Sequence, residues 1–134
     1  MRKLQVLGWI LSGLIVALLV LASAVSKFVE WDGKADEFAK LGWTTDMMFA
    51  IGIVEVAIAL LFIIPRTAFV GAILLTGYLG GATATHVRVG DAFVVPIIVG
   101  IVAWIALGLR NNRVFALAVN CPCADSKCET TAGK

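Results

Sequence analysis

The chain has 134 residues, 60% of them hydrophobic, with a mean hydropathy of +0.98 and a net charge of +2. A soluble domain carries roughly 45–50% apolar residues, so a water-exposed globule of this size is excluded. The small charge sits at the ends of apolar runs rather than along one stripe, which excludes a nucleic-acid partner, and the length allows a single membrane domain.

The first apolar run, Leu4 to Ser26, has no charged residue. Arg2 and Lys3 before it and Ala22-Ser23-Ala24 near its end resemble a secretory signal. The apolar core of such a signal is about 7–15 residues long, so this longer run predicts a retained first helix. The loop from Lys27 to Asp46 follows. Asp32-Gly33 predicts a turn and cap, Lys34 to Leu41 a short interfacial helix with Asp36 and Lys40 paired at i,i+4, and Gly42 its stop. Ala35, Phe38 and Leu41 fall on one face. Trp31 and Trp43 fit an aromatic belt at the membrane surface. The loop reads either as a strap lying on the headgroups or as a lid over a cavity.

The second run, Met47 to Ile64, contains one charge, Glu55. An ionisable group at mid-membrane costs about 2.5–3.5 kcal/mol on insertion scales, so it faces a bundle interior, a cavity or a partner. Gly52, Glu55 and Ala59 share a face, with Met48 beside them, and small neighbours let another helix approach the carboxylate. Two readings follow: a protonated Glu55 bonded to a neighbouring helix, or a proton or cation site that could also clamp a ligand head.

Pro65-Arg66 reverses the chain. The third run, Thr67 to Thr85, carries two ridges of small residues, Gly77 with Gly81 and Thr76-Gly80-Ala84, which suit close helix packing. Tyr78, Ala82 and His86 share another face. His86 is the only histidine, so no multi-histidine metal site forms within one chain. With Arg88 it could hold an anionic or quinone-like head. Glu55 and His86 lie roughly 15 Å apart in depth, counted at 1.5 Å per residue, with a route between them along Tyr78 and the Thr hydroxyls. His86 to Asp91 closes the turn, and the fourth run spans Ala92 to Leu109. All four runs are near the roughly 17–25 residues a membrane helix needs, and each must be helical to satisfy its backbone in lipid.

The expected fold is therefore all-α: an integral membrane four-helix bundle of antiparallel, up-down spans over residues 1–117. Residues 118–134 form a polar tail with Cys121, Cys123 and Cys128. The C-x-C-x4-C spacing supplies three thiols. It needs a further ligand for zinc, suits a soft ion such as Cu(I), or could exchange with a disulfide. Arg2, Lys3, Arg66, Arg110 and Arg113 fall on one side against Lys27, Lys34, Lys40 and Arg88 on the other, which favours cytoplasmic termini.

Leu41-Gly42-Trp43, Gly52-x-x-Glu55, Ile64-Pro65-Arg66-Thr67, Gly71 to Leu75, Tyr78 to Arg88 and Leu107 to Arg110 together resemble the DoxX-like family of small membrane proteins. The resemblance covers about residues 4–117 and leaves the thiol tail outside. It implies four helices, a bacterial inner-membrane location and a quinone-linked redox setting. With no haem-ligand pair, nucleotide loop or catalytic triad, the chain is expected to act beside a partner rather than as an enzyme alone. The leading expectation is an accessory role in a redox or quinone-linked membrane process. The competing ones are a proton-coupled carrier or channel for a lipophilic solute, a homo-oligomeric or heteromeric assembly factor, and metal handling by the tail.

Overall fold

The computed structural model describes residues 2–111, 113 and 114, and the three cysteines lie outside them. Among the described residues there are helices and no strands. The first span is one continuous helical rod made of α1 (Arg2–Ala17), a π-helical stretch (Leu18–Ala24) and α2 (Val25–Phe28). A short helix, α3 (Lys34–Lys40), follows, then α4 (Thr45–Ile63), α5 (Ala68–Val89) and α6 (Val94–Arg110). The first span, α4 and α5 are long and apolar enough to cross a membrane, and α6 is a shorter apolar helix of 17 residues. At 1.5 Å per residue, α6 is about 26 Å long.

Local chemistry sets the boundaries. The Thr44 side chain accepts from the Met47 amide and caps α4, and Asp46 in the first turn complements the helix dipole. Pro65 follows the end of α4, and the Thr67 hydroxyl closes the reversal by donating to the Leu61 carbonyl. α5 runs four residues beyond the expected Thr85, so His86 and Arg88 stand on its last turns rather than in a loop. It stops at Gly90 (φ 76°), where the Asp91 amide donates to the His86 carbonyl in a glycine C-cap. Gly42, at φ 77°, ends the α3 segment in the same way. Within α3, Lys40 pairs with Glu37 at i,i+3 and not with Asp36 as expected, and this neighbour raises the Lys40 pKa.

The four long elements close into a ring. α4 packs on α5, α5 on α6, and α6 on α1. Short turns between consecutive helices make them antiparallel neighbours. Leu14, Leu21, Ile53, Leu60, Ile73 and Ile101 are all exposed. Such a surface is soluble in hydrocarbon and not in water.

The ring is solid at one end and hollow at the other. At the solid end Ile15, Ile58, Phe62, Leu75, Ala106 and Leu107 form a buried core. Close approach there depends on glycine: a Cβ on Gly71 would stand 2.5 Å from the Phe62 backbone nitrogen, and one on Gly8 2.9 Å from the Ala106 carbonyl oxygen. Gly71→Ala is therefore expected to push α5 off α4 at a cost of about 1–3 kcal/mol, read as a lower midpoint in a denaturing-detergent titration. An unchanged midpoint would rule out this contact. By contrast, Gly77, Gly80 and Gly81 meet nothing within 4 Å, and Ala84 is exposed. Among the described residues, no neighbouring helix lies against these three glycines. Gly52, in contrast, lies against the first span, Ala59 is fully buried, and Thr76 Oγ1 accepts from Trp104 Nε1 of α6 at 2.9 Å.

Arg110 fastens the solid end. Its guanidinium donates to the Phe62 and Ile63 carbonyls at 3.1 and 3.0 Å and to Ser12 Oγ at 3.1 Å, and it lies 3.9 Å from the centre of the Trp9 ring. The two carbonyls belong to the last turn of α4, which has no helical donors left for them. One side chain thereby joins the first span, α4 and α6.

Candidate functional site

At the hollow end the first span changes partner. α1 lies along α6, whereas the π stretch and α2 lie along α4. A gap opens between the π stretch and the beginning of α6. The result is a cavity of about 600 Å³, walled by the π stretch, α2, the first half of α4, the last half of α5 and the first turns of α6. Leu18 and Val95 line it while remaining exposed, so it communicates with the lipid side of the bundle. Gly77, Gly81 and Ala82 line its α5 wall. Their missing side chains leave the space unfilled, which is the structural use of two of the glycines expected to pack. The π stretch gives Leu18, Leu19, Ala22 and Ser23 to the wall, and short π segments in helices often accompany functional sites.

Phe38, Leu41 and Trp43 cover the cavity from the α3 segment. Phe38 is buried, while Ala35, expected on the same face, is exposed. Arg88 is outside the cavity wall, and its guanidinium donates to the Leu41 carbonyl, fixing this roof to the end of α5. Gly42 makes that contact feasible, because a Cβ there would stand 2.7 Å from Arg88 Nη2. Of the two readings of the loop, the geometry matches a roof.

Glu55 lies in the wall, 1% exposed, and its Oε2 accepts from Lys27 Nζ at 2.8 Å. The lysine is itself 5% exposed. Its side chain runs back along its own helix, as helical side chains do, and donates also to Ser23 Oγ at 2.6 Å and to the Ser23 carbonyl at 3.2 Å. Gly52, one turn before Glu55 on the same face, gives the stem room to pass: its missing Cβ would stand 3.3 Å from Lys27 Cβ and 3.1 Å from the Phe28 ring. The buried face Met48, Gly52, Glu55 and Ala59 thus meets a lysine from the first span. Glu55 thus meets the amino group of Lys27 from a neighbouring helix. In a low-dielectric interior an ion pair holds only when its remaining valences are satisfied. Lys27 meets that condition, and Glu55 does so by half, because its Oε1 is buried without a hydrogen-bond partner.

Tyr78 and His86 line the same cavity with Ala82 between them, so the shared face of α5 points inward. The Tyr78 phenol is within reach of Glu55 and Ser23. His86 Nδ1 is buried without a hydrogen-bond partner and lies 3.9 Å from Asp91 Oδ2. Glu55 and His86 are joined by the cavity rather than by contact. Three of the four polar residues singled out in the sequence share this space, and Arg88 is the exception. Sequence reasoning missed Lys27 and Ser23. Their i,i+4 spacing, at the end of a span preceding an unpaired carboxylate, was the available signal. Among the described residues no cluster of metal-ligating side chains occurs.

Apolar helices of spanning length, a lipid-soluble outer surface and a polar pair enclosed within define an integral membrane helix bundle. The sequence model of the DoxX-like family matches residues 10–107, and the chain belongs to that family. No curated protein and no solved structure matches it.

Proposed function

We propose that the hollow end binds a lipophilic small molecule by a polar head, and that the protein thereby serves as an accessory to a quinone-linked redox process in the bacterial inner membrane. The observation carrying this reading is the buried Lys27 and Glu55 pair set in the wall of a largely apolar cavity that opens toward lipid. A cavity of about 600 Å³ is within the roughly 300–1,000 Å³ range of small-molecule sites, and a few fixed polar groups in an apolar wall orient an amphiphile. The membrane supplies ligands of this kind, and quinones with their reduced quinols are among them.

The basic residues around Arg66, Arg110 and Arg113 support cytoplasmic termini, an orientation with the cavity in the outer half of the bilayer. Gly80 and Ala84, exposed on α5, leave room for a partner helix, in keeping with an accessory role. A carrier would need a path through the solid end, which Phe62, Leu75 and Ala106 fill with 0–1% exposure. Binding therefore fits the geometry better than transport.

The test is gentle extraction from the native membrane followed by native mass spectrometry of the intact assembly. A bound lipophile of a few hundred daltons, lost when Ala82→Trp fills the cavity, is the expected result. A second protein in the assembly would identify the redox system. A bare homo-oligomer with no bound small molecule would overturn the proposal.

A further inference from the structure

The hydrogen-bond inventory of the cavity limits what head group it accepts. An ammonium has three donors, and those of Lys27 are directed at Glu55 Oε2, Ser23 Oγ and the Ser23 carbonyl. The Ser26 hydroxyl donates to the Ser23 carbonyl at 2.6 Å, and the Thr85 hydroxyl to the Gly81 carbonyl at 3.0 Å. Lys27, Ser26 and Thr85 thus spend their donors within the wall, and the Tyr78 phenol remains free to donate. Two buried polar atoms of the lining lack a partner, His86 Nδ1 and, beside the Lys27 ammonium, the acceptor Glu55 Oε1, on a side chain 1% exposed. A carboxylate paired with an ammonium can only accept, so the missing partner is a donor. A second cation is disfavoured, because it would stand beside the Lys27 ammonium with its counter-charge already engaged. A head with acceptors only, such as an ether, an ester or a quinone carbonyl, would set oxygen against oxygen and leave Oε1 unpaired.

We infer that the hollow end selects lipophiles whose head is a neutral hydroxyl, and that this hydroxyl donates to Glu55 Oε1. A hydroxyl also accepts, which lets Tyr78, on the facing wall and within reach of Glu55, donate to the same oxygen. Phenols, long-chain alcohols and the reduced, quinol form of a quinone share this chemistry. The inference rests on the reading that the cavity takes a lipophile, and it adds which one of a redox couple is held.

The experiment uses the full chain in lipid nanodiscs and two radiolabelled compounds with one apolar body, 4-nonylphenol and its methyl ether. Saturable binding is measured above that of empty nanodiscs. The phenol is expected to bind at least about tenfold more tightly, the range of one hydrogen bond to a charged acceptor. Tyr78→Phe is expected to weaken both compounds and to keep their ratio, because both oxygens accept from Tyr78. Glu55→Gln presents an amide N–H where a lone pair stood, and is expected to remove the preference. Should Glu55→Gln fail to fold, the wild type and Tyr78→Phe still decide. Equal binding of phenol and ether by the wild type, as a water resident on Oε1 would produce, overturns the inference and leaves a lipophile pocket intact. A preference abolished by Tyr78→Phe assigns the bond to Tyr78 and also overturns it. Saturable binding of neither compound removes both this inference and the reading beneath it. A phenol preference that a long-chain alcohol competes away identifies the hydroxyl, rather than the aromatic ring, as the recognised group.

Discussion

Lys27→Met is expected to destabilise the protein by about 3–5 kcal/mol, the cost of leaving one member of a buried ion pair without its partner. The lysine is 5% exposed and the glutamate 1%, so neither can turn to solvent when the other is removed. The double variant Lys27→Met/Glu55→Leu replaces the pair by apolar groups of similar size. It is expected to recover most of that loss, because both desolvation costs vanish together. The double variant would also lose the open acceptor and with it the polar anchor of the cavity. Unfolding in mixed micelles of increasing denaturing-detergent content gives the four corners of the cycle. A coupling energy near zero, or a Lys27→Met protein as stable as the wild type, would show that the two side chains do not meet.

The second large effect is expected at the opposite end. Arg110→Ala should cost about 3 kcal/mol, since hydrogen bonds from a charged donor contribute roughly 1.5–3 kcal/mol each and do not add fully. The same change leaves two carbonyls at the end of α4 unpaired and removes the stack on Trp9. Arg110→Lys should recover less than half of the loss. One ammonium cannot reproduce the planar fork that reaches Ser12, Phe62 and Ile63 from a single position. Ligand binding at the hollow end should survive Arg110→Lys, because no cavity-lining residue contributes to this junction. A full rescue by lysine would mean that charge alone, near the α4 C-terminus, accounts for the contact.

Glu55 was legible from the sequence because a charge inside an apolar run is costly wherever it sits, and cost of that kind survives any detail of packing. The face it shares with Gly52 and Ala59 was legible from helical periodicity alone. Lys27 was not. At the end of an apolar run it counts as an ordinary headgroup charge, and only the backward lean of its stem along the helix brings the ammonium to a carboxylate 28 positions away. Arg110 was hidden in the same way, as one of the basic residues flanking a span.

The sequence determined by itself that the chain is a helical membrane protein and that one carboxylate lies enclosed within it. Those features follow from local terms: hydrocarbon excludes unpaired backbone and rejects bare charge. Only the tertiary structure decided which glycines pack and which leave space. Gly71 touches the α4 backbone, whereas Gly77 and Gly81 open onto the cavity. A missing side chain has no sign of its own until a neighbouring helix is either against it or absent. The same holds for the pairing of Lys27 with Glu55, which depends on where the first span leaves α6 and turns to α4.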